Sequence, residues 1–229
     1  AMIYRDKSYS IEQRLDDLMG RMTLEEKTAQ LMCCFFMDIP GQRSPLDERF
    51  KFDYEKAKES FPDGIGQLGH PTILGKPHAG DPMEAVFPKG IGAKKSAELT
   101  NHIQRFFVEH TRLGIPVIFH EEALHGLGAQ DGTSFPQAIA LGSSWDPSMI
   151  RRIYEITASQ ARACGCCQVF SPNLDIIQDP RFGRTEENWG EDPWLTSSIA
   201  REAVRGLQGE GETIDTAHVA ATVKHFAGY

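Results

Sequence analysis

An α/β fold with a parallel sheet is predicted for this chain by three observations. Short β-rich apolar runs are present, helical repeats open at Asp-Pro pairs, and the two kinds of segment alternate. The first strand is predicted at Ile65 to Leu68, a short apolar run set between glycines. A helix follows from about Ala93 to His110, with Leu99, Ile103, Phe106 and Phe107 as its inward face. Ile115 to Phe119 is compact and β-rich, and reads as a buried strand. Asp146-Pro147 caps a helix with Ile150, Ile153, Thr157 and Ala161 inward, since proline suits the first helical position. Val169 to Ile177 reads as the next strand. Asp192-Pro193 opens a helix with Leu195, Ile199, Ala203 and Leu207 inward, and Val219 to Val223 begins a final strand. Strands separated by helices pair in parallel, because the helix provides the crossover.

Upstream of this alternation lie two helix starts. Ser10 with Gln13, and Thr23 with Glu26, have the spacing of capping boxes, and Ile11, Leu15, Leu18 and Met22 repeat at helical spacing after the first. The charged stretch from Lys51 to Glu59 reads as a short solvated helix. The segment from His70 to Gly92, with four prolines, reads as a long loop of the kind that carries function or merely crosses over.

The chain has 229 residues, of which 24 are Lys or Arg and 32 are Asp or Glu, for a net charge of −8. An acidic balance argues against nucleic acid as a partner, since phosphate binding favours a basic patch. No apolar stretch approaches the ~20 residues needed to span a bilayer, so no membrane partner is expected. Ser10 to Met22 is charged where a secretory leader would be apolar. The five cysteines fall in two clumps, Cys33-Cys34 and Cys164-Gly-Cys166-Cys167, which read as thiols more than as a disulfide framework. Together these favour a cytoplasmic location, with export after leader removal as the other route.

Two patterns are decoys. Gly64 to Gly69 matches GxGxxG, but the dinucleotide motif needs a strand before it and a helix after it, and here His70-Pro71 follows. His120-Glu121 resembles the start of a zinc-protease HExxH, yet position 124 is Leu and the next His is His125, one residue late. The cysteine clump at 164–167 lacks a metal-ligand spacing. No metal or organic cofactor is expected.

Charged residues gather after three of the four strands. His120, Glu121, Glu122 and His125 follow one; Asp179, Arg181, Arg184, Glu186 and Glu187 follow the next; Lys224 and His225 follow the last. In a parallel α/β architecture the C-terminal strand edge is where active sites form, so a shared cleft is expected there.

These clusters carry a family resemblance. Arg21-Met-Thr-Leu-Glu-Glu-Lys27, Arg112-Leu-Gly-Ile-Pro-Val117, Glu122-Ala-Leu-His-Gly126, Phe135-Pro-Gln137, Ser171-Pro-Asn-Leu-Asp175, Asp179-Pro-Arg-Phe-Gly-Arg-Thr-Glu-Glu187, Gly190-Glu-Asp-Pro193 and Lys224-His-Phe226 stand in order from about residue 11 to the end. The chain resembles the N-terminal part of a family 3 glycoside hydrolase of β-glucosidase and β-xylosidase type. The resemblance implies the first half of a (β/α)8-like TIM barrel, incomplete in this chain. It divides the chain into an N-terminal helical lead-in over 1–63 and barrel over 64–229, with the remaining barrel and an α/β sandwich domain as partners in the same or a companion polypeptide.

It also implies an exo-acting retaining β-glycosidase that removes terminal non-reducing β-D-glucosyl or β-D-xylosyl residues from an oligosaccharide or β-glycoside. Retention needs two carboxyl groups ~5–5.5 Å apart, a nucleophile and an acid/base. In the family both lie beyond the Lys-His-Phe motif, so no catalytic residue is expected in this chain and the segment alone is expected to be inactive. The glycone-binding residues carry over as Glu122, Arg184, Lys224 and His225. Arg181, Glu186, Glu187, Glu191 and Asp192 read as loop-fixing. Ala227-Gly228-Tyr229 after Lys-His-Phe is glucosidase- or xylosidase-like, where N-acetylglucosaminidases have Pro-Gly-His. Glu rather than Asp at 122 reaches one methylene further and suits a sugar without a bulky exocyclic group. The competing reading is a non-catalytic carbohydrate-binding fragment or scaffold. Hydrolysis by this segment would then have to recruit Glu121, Asp175, Asp179 or Glu187.

Overall fold

A computed structural model describes residues 2–35, 45–47, 51–72 and 90–228. Most of the expected loop between His70 and Gly92, and much of 37–50, lies outside the described residues. The chain divides into two compact units, Ala1–Leu68 with Ile103–Val117, and Gly69–His102 with Ile118–Tyr229. The expected lead-in over 1–63 thus falls in the first unit, joined there by residues from far along the chain.

In the first unit, α1 (Ile11–Arg21) and α2 (Leu24–Ala29) both begin with the capping boxes legible in sequence. Ser10 Oγ accepts from Gln13 N at 3.2 Å and Gln13 Oε1 accepts from Ser10 N at 3.1 Å. The apolar repeat of α1 does not make core: none of its residues is buried, and Ile11 is 68% exposed. Two short strands and a helix follow, β1 (Cys33–Phe35), α3 (Tyr54–Ser60) and β2 (Gln67–Gly69). The α3 helix is capped by Asp53, whose Oδ1 accepts from Glu55 N and Lys56 N. It is less solvated than its charge suggests. Ala57 is fully buried, and Phe52 and Phe61 flank it to meet Phe106 and Phe107 at ring distances of 5.5 and 5.6 Å. Burying four aromatic rings outweighs the lysine and glutamate count of so short a helix. β2 occupies the second half of the GxGxxG pattern, where a dinucleotide motif would have its turn and helix start.

Helix α4 (Gly92–His110) starts one residue before its predicted position. Its buried face is Ser96, Thr100, Ile103, Phe106 and Phe107, and Leu99 is only half-buried. The two hydroxyls can be inside because each is satisfied: Ser96 Oγ donates to Cys164 O at 2.8 Å and Thr100 Oγ1 to Ala97 O at 3.1 Å.

The second unit holds β3 (Ile118–Glu121), a short helix α5 (Ala138–Gly142) not foreseen in sequence, α6 (Pro147–Ala163), β4 (Gln168–Val169), α7 (Pro193–Gln208) and β5 (Ala220–Ala221). The three strands pair in parallel, with His120 opposite Gln168 and Val169 opposite Ala221. Each is displaced from or shorter than expectation. β3 begins three residues late, after Pro116. β4 is only Gln168–Val169, and Pro172, which has no N–H for a ladder, follows three residues on. Both long helices begin as predicted, with Asp146 capping Met149 N at 3.0 Å and Asp192 capping Trp194 N at 2.9 Å. Ile150, Ile153, Thr157 and Ala161 of α6 are buried, as are Ile199, Ala203 and Leu207 of α7, whereas Leu195 is half-buried. The two helices approach closely at Gly206, where a Cβ would stand 2.5 Å from Arg151 O. Among the described residues no helix is long and apolar enough to cross a membrane, and no cysteine is in a disulfide.

Candidate sugar-binding site

The three parallel strands of the second unit end side by side, and their C-terminal continuations form the site. β3 runs into Glu121 and Glu122. The chain after β4 runs beside the chain after β5, tied by Leu174 N to Lys224 O at 2.7 Å and Thr222 N to Ser171 O at 3.0 Å. The Ser171–Pro172 and Lys224–His225 peptide bonds are cis.

Adjacent glutamates at the end of β3 have opposite environments, as strand alternation requires. Glu121 is fully buried. Its Oε1 accepts from Thr72 N at 3.0 Å and from the Thr72 hydroxyl, and its Oε2 pairs with His70 Nδ1 at 2.8 Å. Glu122 leaves 44% of its side chain exposed, and its Oε2 accepts from Lys224 Nζ at 3.0 Å. Two residues predicted to bind sugar, 102 positions apart, thus meet directly.

Glu122 and Arg184 line one open cleft of about 460 Å³, together with Glu187 and the His125–Gly128 turn. Arg184 faces Glu187 through two parallel hydrogen bonds, Nε to Oε1 at 2.6 Å and Nη2 to Oε2. Asn173 Nδ2 adds a bond to Glu187 Oε2 at 3.0 Å. The Arg184 guanidinium, with a smaller contribution from Lys224, holds the Glu187 carboxyl below its usual range. Glu187 is therefore a charged brace for Arg184, a role more local to the site than the loop-fixing expected of it. His225 completes the predicted set. Its Nδ1 lies 2.8 Å from Asp175 Oδ2, and its backbone N donates to Asp175 Oδ1 at 3.3 Å.

The wall of the cleft is set by glycine and aromatic anchors. Gly126 adopts φ 108°, and a Cβ there would fall 2.0 Å from Thr133 O. Tyr154, buried in α6, donates its hydroxyl to Leu124 O at 2.9 Å, and Trp189 Nε1 donates to Asn173 O at 2.8 Å. Neither residue is marked by the sequence: Tyr154 falls on a predicted helix, and Trp189 in the polar stretch between Glu187 and Gly190.

The local carboxylates that hydrolysis by this segment would recruit are all engaged. Glu121 is buried on Thr72 and His70, Glu187 is paired with Arg184, and Asp175 with His225. Asp179 is held in an exposed turn by Arg181 at 2.7 Å. What remains is a cleft lined by the Arg184 guanidinium and the Glu122 carboxylate, with the Lys224 ammonium bonded to that carboxylate and neither Lys224 nor His225 in the lining, a donor and acceptor mixture suited to vicinal hydroxyls.

Residues 23–229 match the family described as the glycosyl hydrolase family 3 N terminal domain. A putative beta-xylosidase of Formosa agariphila is 33% identical over 227 residues, covering 99% of this chain and 28% of that protein. A probable beta-glucosidase C of Aspergillus flavus is 32% identical over 245 residues, covering 100% of this chain and 34% of its own length. Among solved structures, a β-glucosidase of Erythrobacter marinus superposes with a TM-score of 0.75 at 35% identity, covering 97% of this chain and 26% of that one. The chain spans about a third or less of these relatives. Its parallel strand–helix order is that of the N-terminal part of their TIM-barrel-like domain.

Proposed function

The chain belongs to glycosyl hydrolase family 3 by its N-terminal domain, and from that premise we propose that it supplies the glycone-binding half of an exo-acting retaining β-glycosidase. The observation that carries this reading is the Glu122–Lys224 pair, 3.0 Å apart at the ends of β3 and β5, with Arg184 on the same cleft. A terminal sugar presents adjacent hydroxyls. Glu122 accepts hydrogen bonds from two of them, while Lys224 and Arg184 donate to their oxygens, and charge-assisted bonds of this kind are the stronger class. His225, beside Lys224, adds a ring nitrogen to the same floor.

Retention requires a nucleophile and an acid/base ~5–5.5 Å apart across the scissile bond. The carboxylates near this cleft are each buried or hydrogen-bonded to a lysine, arginine or histidine, which supports binding rather than bond cleavage as this segment's share of the work. The segment by itself is inactive on this reading, and the carboxyl pair comes from the rest of the enzyme. The glutamate at 122, with its longer reach, supports a pentose glycone, and the name of the Formosa relative points the same way.

The test is twofold. The full-length polypeptide that carries this chain is assayed on aryl β-xyloside and aryl β-glucoside, and a large glucoside preference would sink the xyloside assignment. The 229-residue segment is assayed in parallel. Turnover by the segment, lost in Asp175→Ala, would overturn its non-catalytic share.

A further inference from the structure

The reading above assigns His225 to the sugar floor and leaves Asp175 without a role, although the two residues are 50 positions apart and meet twice. One carboxylate oxygen of Asp175 faces the ring Nδ1 at 2.8 Å and the other takes the backbone N–H of the same histidine at 3.3 Å. Asp175 itself is set in place by its neighbours, because Leu174 N donates to Lys224 O at 2.7 Å and Asn173 bridges to Lys224. The aspartate side chain is 14% exposed and that of His225 27%, so both sit at the rim of the protein interior and not in bulk water.

We infer that Asp175 is a positioning residue that holds a proton on Nδ1 of His225 and fixes the orientation in which the ring meets a glycone hydroxyl. An ionised carboxylate has only acceptor sites, so the proton of the facing pair must be on Nδ1. The partner of one ring nitrogen fixes the state of the other. The second contact, to the backbone N–H, fixes the main chain from which the ring projects, so ring orientation and tautomer are set by the same side chain. The inference rests on His225 touching sugar, as proposed above, but the tautomer itself is independent of substrate.

The experiment uses the full-length polypeptide carrying this chain, labelled with 15N-histidine and read by NMR at neutral pH, with the His225 signals assigned by their loss in His225→Ala. The wild type is expected to show the Nδ1–H form. In Asp175→Asn the amide can donate to Nδ1 and turn the ring to the other tautomer, as the same exchange does in a serine-protease triad. In Asp175→Ala the Nδ1–H form is expected to lose its dominance. Kinetics on an aryl β-glycoside then separate positioning from bulk structure. Asp175→Ala should cost about tenfold or more in kcat/KM in the wild-type background and nearly nothing when His225 is already alanine. An unchanged tautomer in both variants, or an equal loss in both backgrounds, would overturn the assignment. Absence of glycoside turnover by the wild type would sink the glycosidase reading and the sugar contact of His225 with it, while the tautomer, read without substrate, would still decide whether Asp175 holds the ring.

Discussion

Lys224 Nζ stands 3.0 Å from Glu122 Oε2, joining the end of β5 to the end of β3 across the floor of the candidate site. The lysine side chain is 13% exposed and the glutamate side chain 44%. A lysine that far from water needs its partner, whereas the glutamate retains a solvent-facing oxygen. Lys224→Ala should therefore cost roughly 2–4 kcal/mol of transition-state stabilisation, by removing a charge-assisted donor and releasing the glutamate from its orientation. Arg184→Ala should cost a similar amount. The ratio of kcat/KM for each variant of the full-length enzyme measures this, and unchanged efficiency in both would show that these side chains do not touch the glycone.

The cleft wall makes a sharper structural prediction. At Gly126, φ 108° and a virtual Cβ 2.0 Å from Thr133 O leave no room for alanine, and the clashing atom is backbone, which yields reluctantly. Gly126→Ala should destabilise by about 1–3 kcal/mol or more, as overpacking and left-handed strain combine. Gly183, inside the Phe-Gly-Arg turn, has nothing within 4 Å of its virtual Cβ and no positive φ. Gly183→Ala should leave the thermal midpoint nearly unchanged. Equal midpoints for the two variants would contradict the turn geometry.

Much of this site was legible because its residues recur in ordered motifs at strand ends. That Glu122 and Lys224 stand at strand ends could be read from sequence, and so could the caps Ser10, Thr23, Asp146 and Asp192, since a cap is local chemistry. The pairings were not legible. Nothing in the string Ser171-Pro-Asn-Leu-Asp175 says that its aspartate meets a histidine 50 residues away. Nor does a Glu-Glu dipeptide say which carboxylate goes inside; that follows only when the strand's phase is fixed by its neighbours. Strand limits failed for the same reason. Val169 to Ile177 looks like one long β-rich run, but the regular ladder covers only Gln168 and Val169, and beyond it an isolated bridge joins Asn173 to Lys224. The first helix forms where its capping box marks it, but its apolar repeat contributes no buried residue.

Glu26 links local and tertiary structure in the first unit. It closes the capping box with Thr23 and takes the Arg112 guanidinium, Nε to Oε1 at 2.8 Å. The Arg112 bond, opposed by desolvation, holds the Glu26 carboxyl below its usual range. A carboxyl with a lowered folded pKa adds stability above its unfolded pKa, and that stability is lost as pH falls through the folded value. Arg112→Ala should thus lower the melting temperature at pH 7, with the difference from wild type shrinking as the pH is taken well into the acid range. A difference that stays constant with pH would mean the pair contributes by packing alone.

His120 acts in the same direction at a milder pH. The ring is fully buried and stacked on Phe170 at 4.0 Å with planes 21° apart. Desolvation, with a smaller contribution from neighbouring His70, lowers its pKa from 6.5 to about 4. The folded ring stays neutral where the unfolded one takes a proton. Below its unfolded pKa of about 6.5 the unfolded state therefore binds more protons, and stability should fall with decreasing pH until about 4, where the folded ring protonates too. Histidine NMR on the wild type should find one imidazole still neutral at pH 5. Denaturation of His120→Gln should show a shallower loss of stability between those two values than the wild type does. A His120 signal titrating near 6.5 would place the ring in water and contradict its stacking on Phe170.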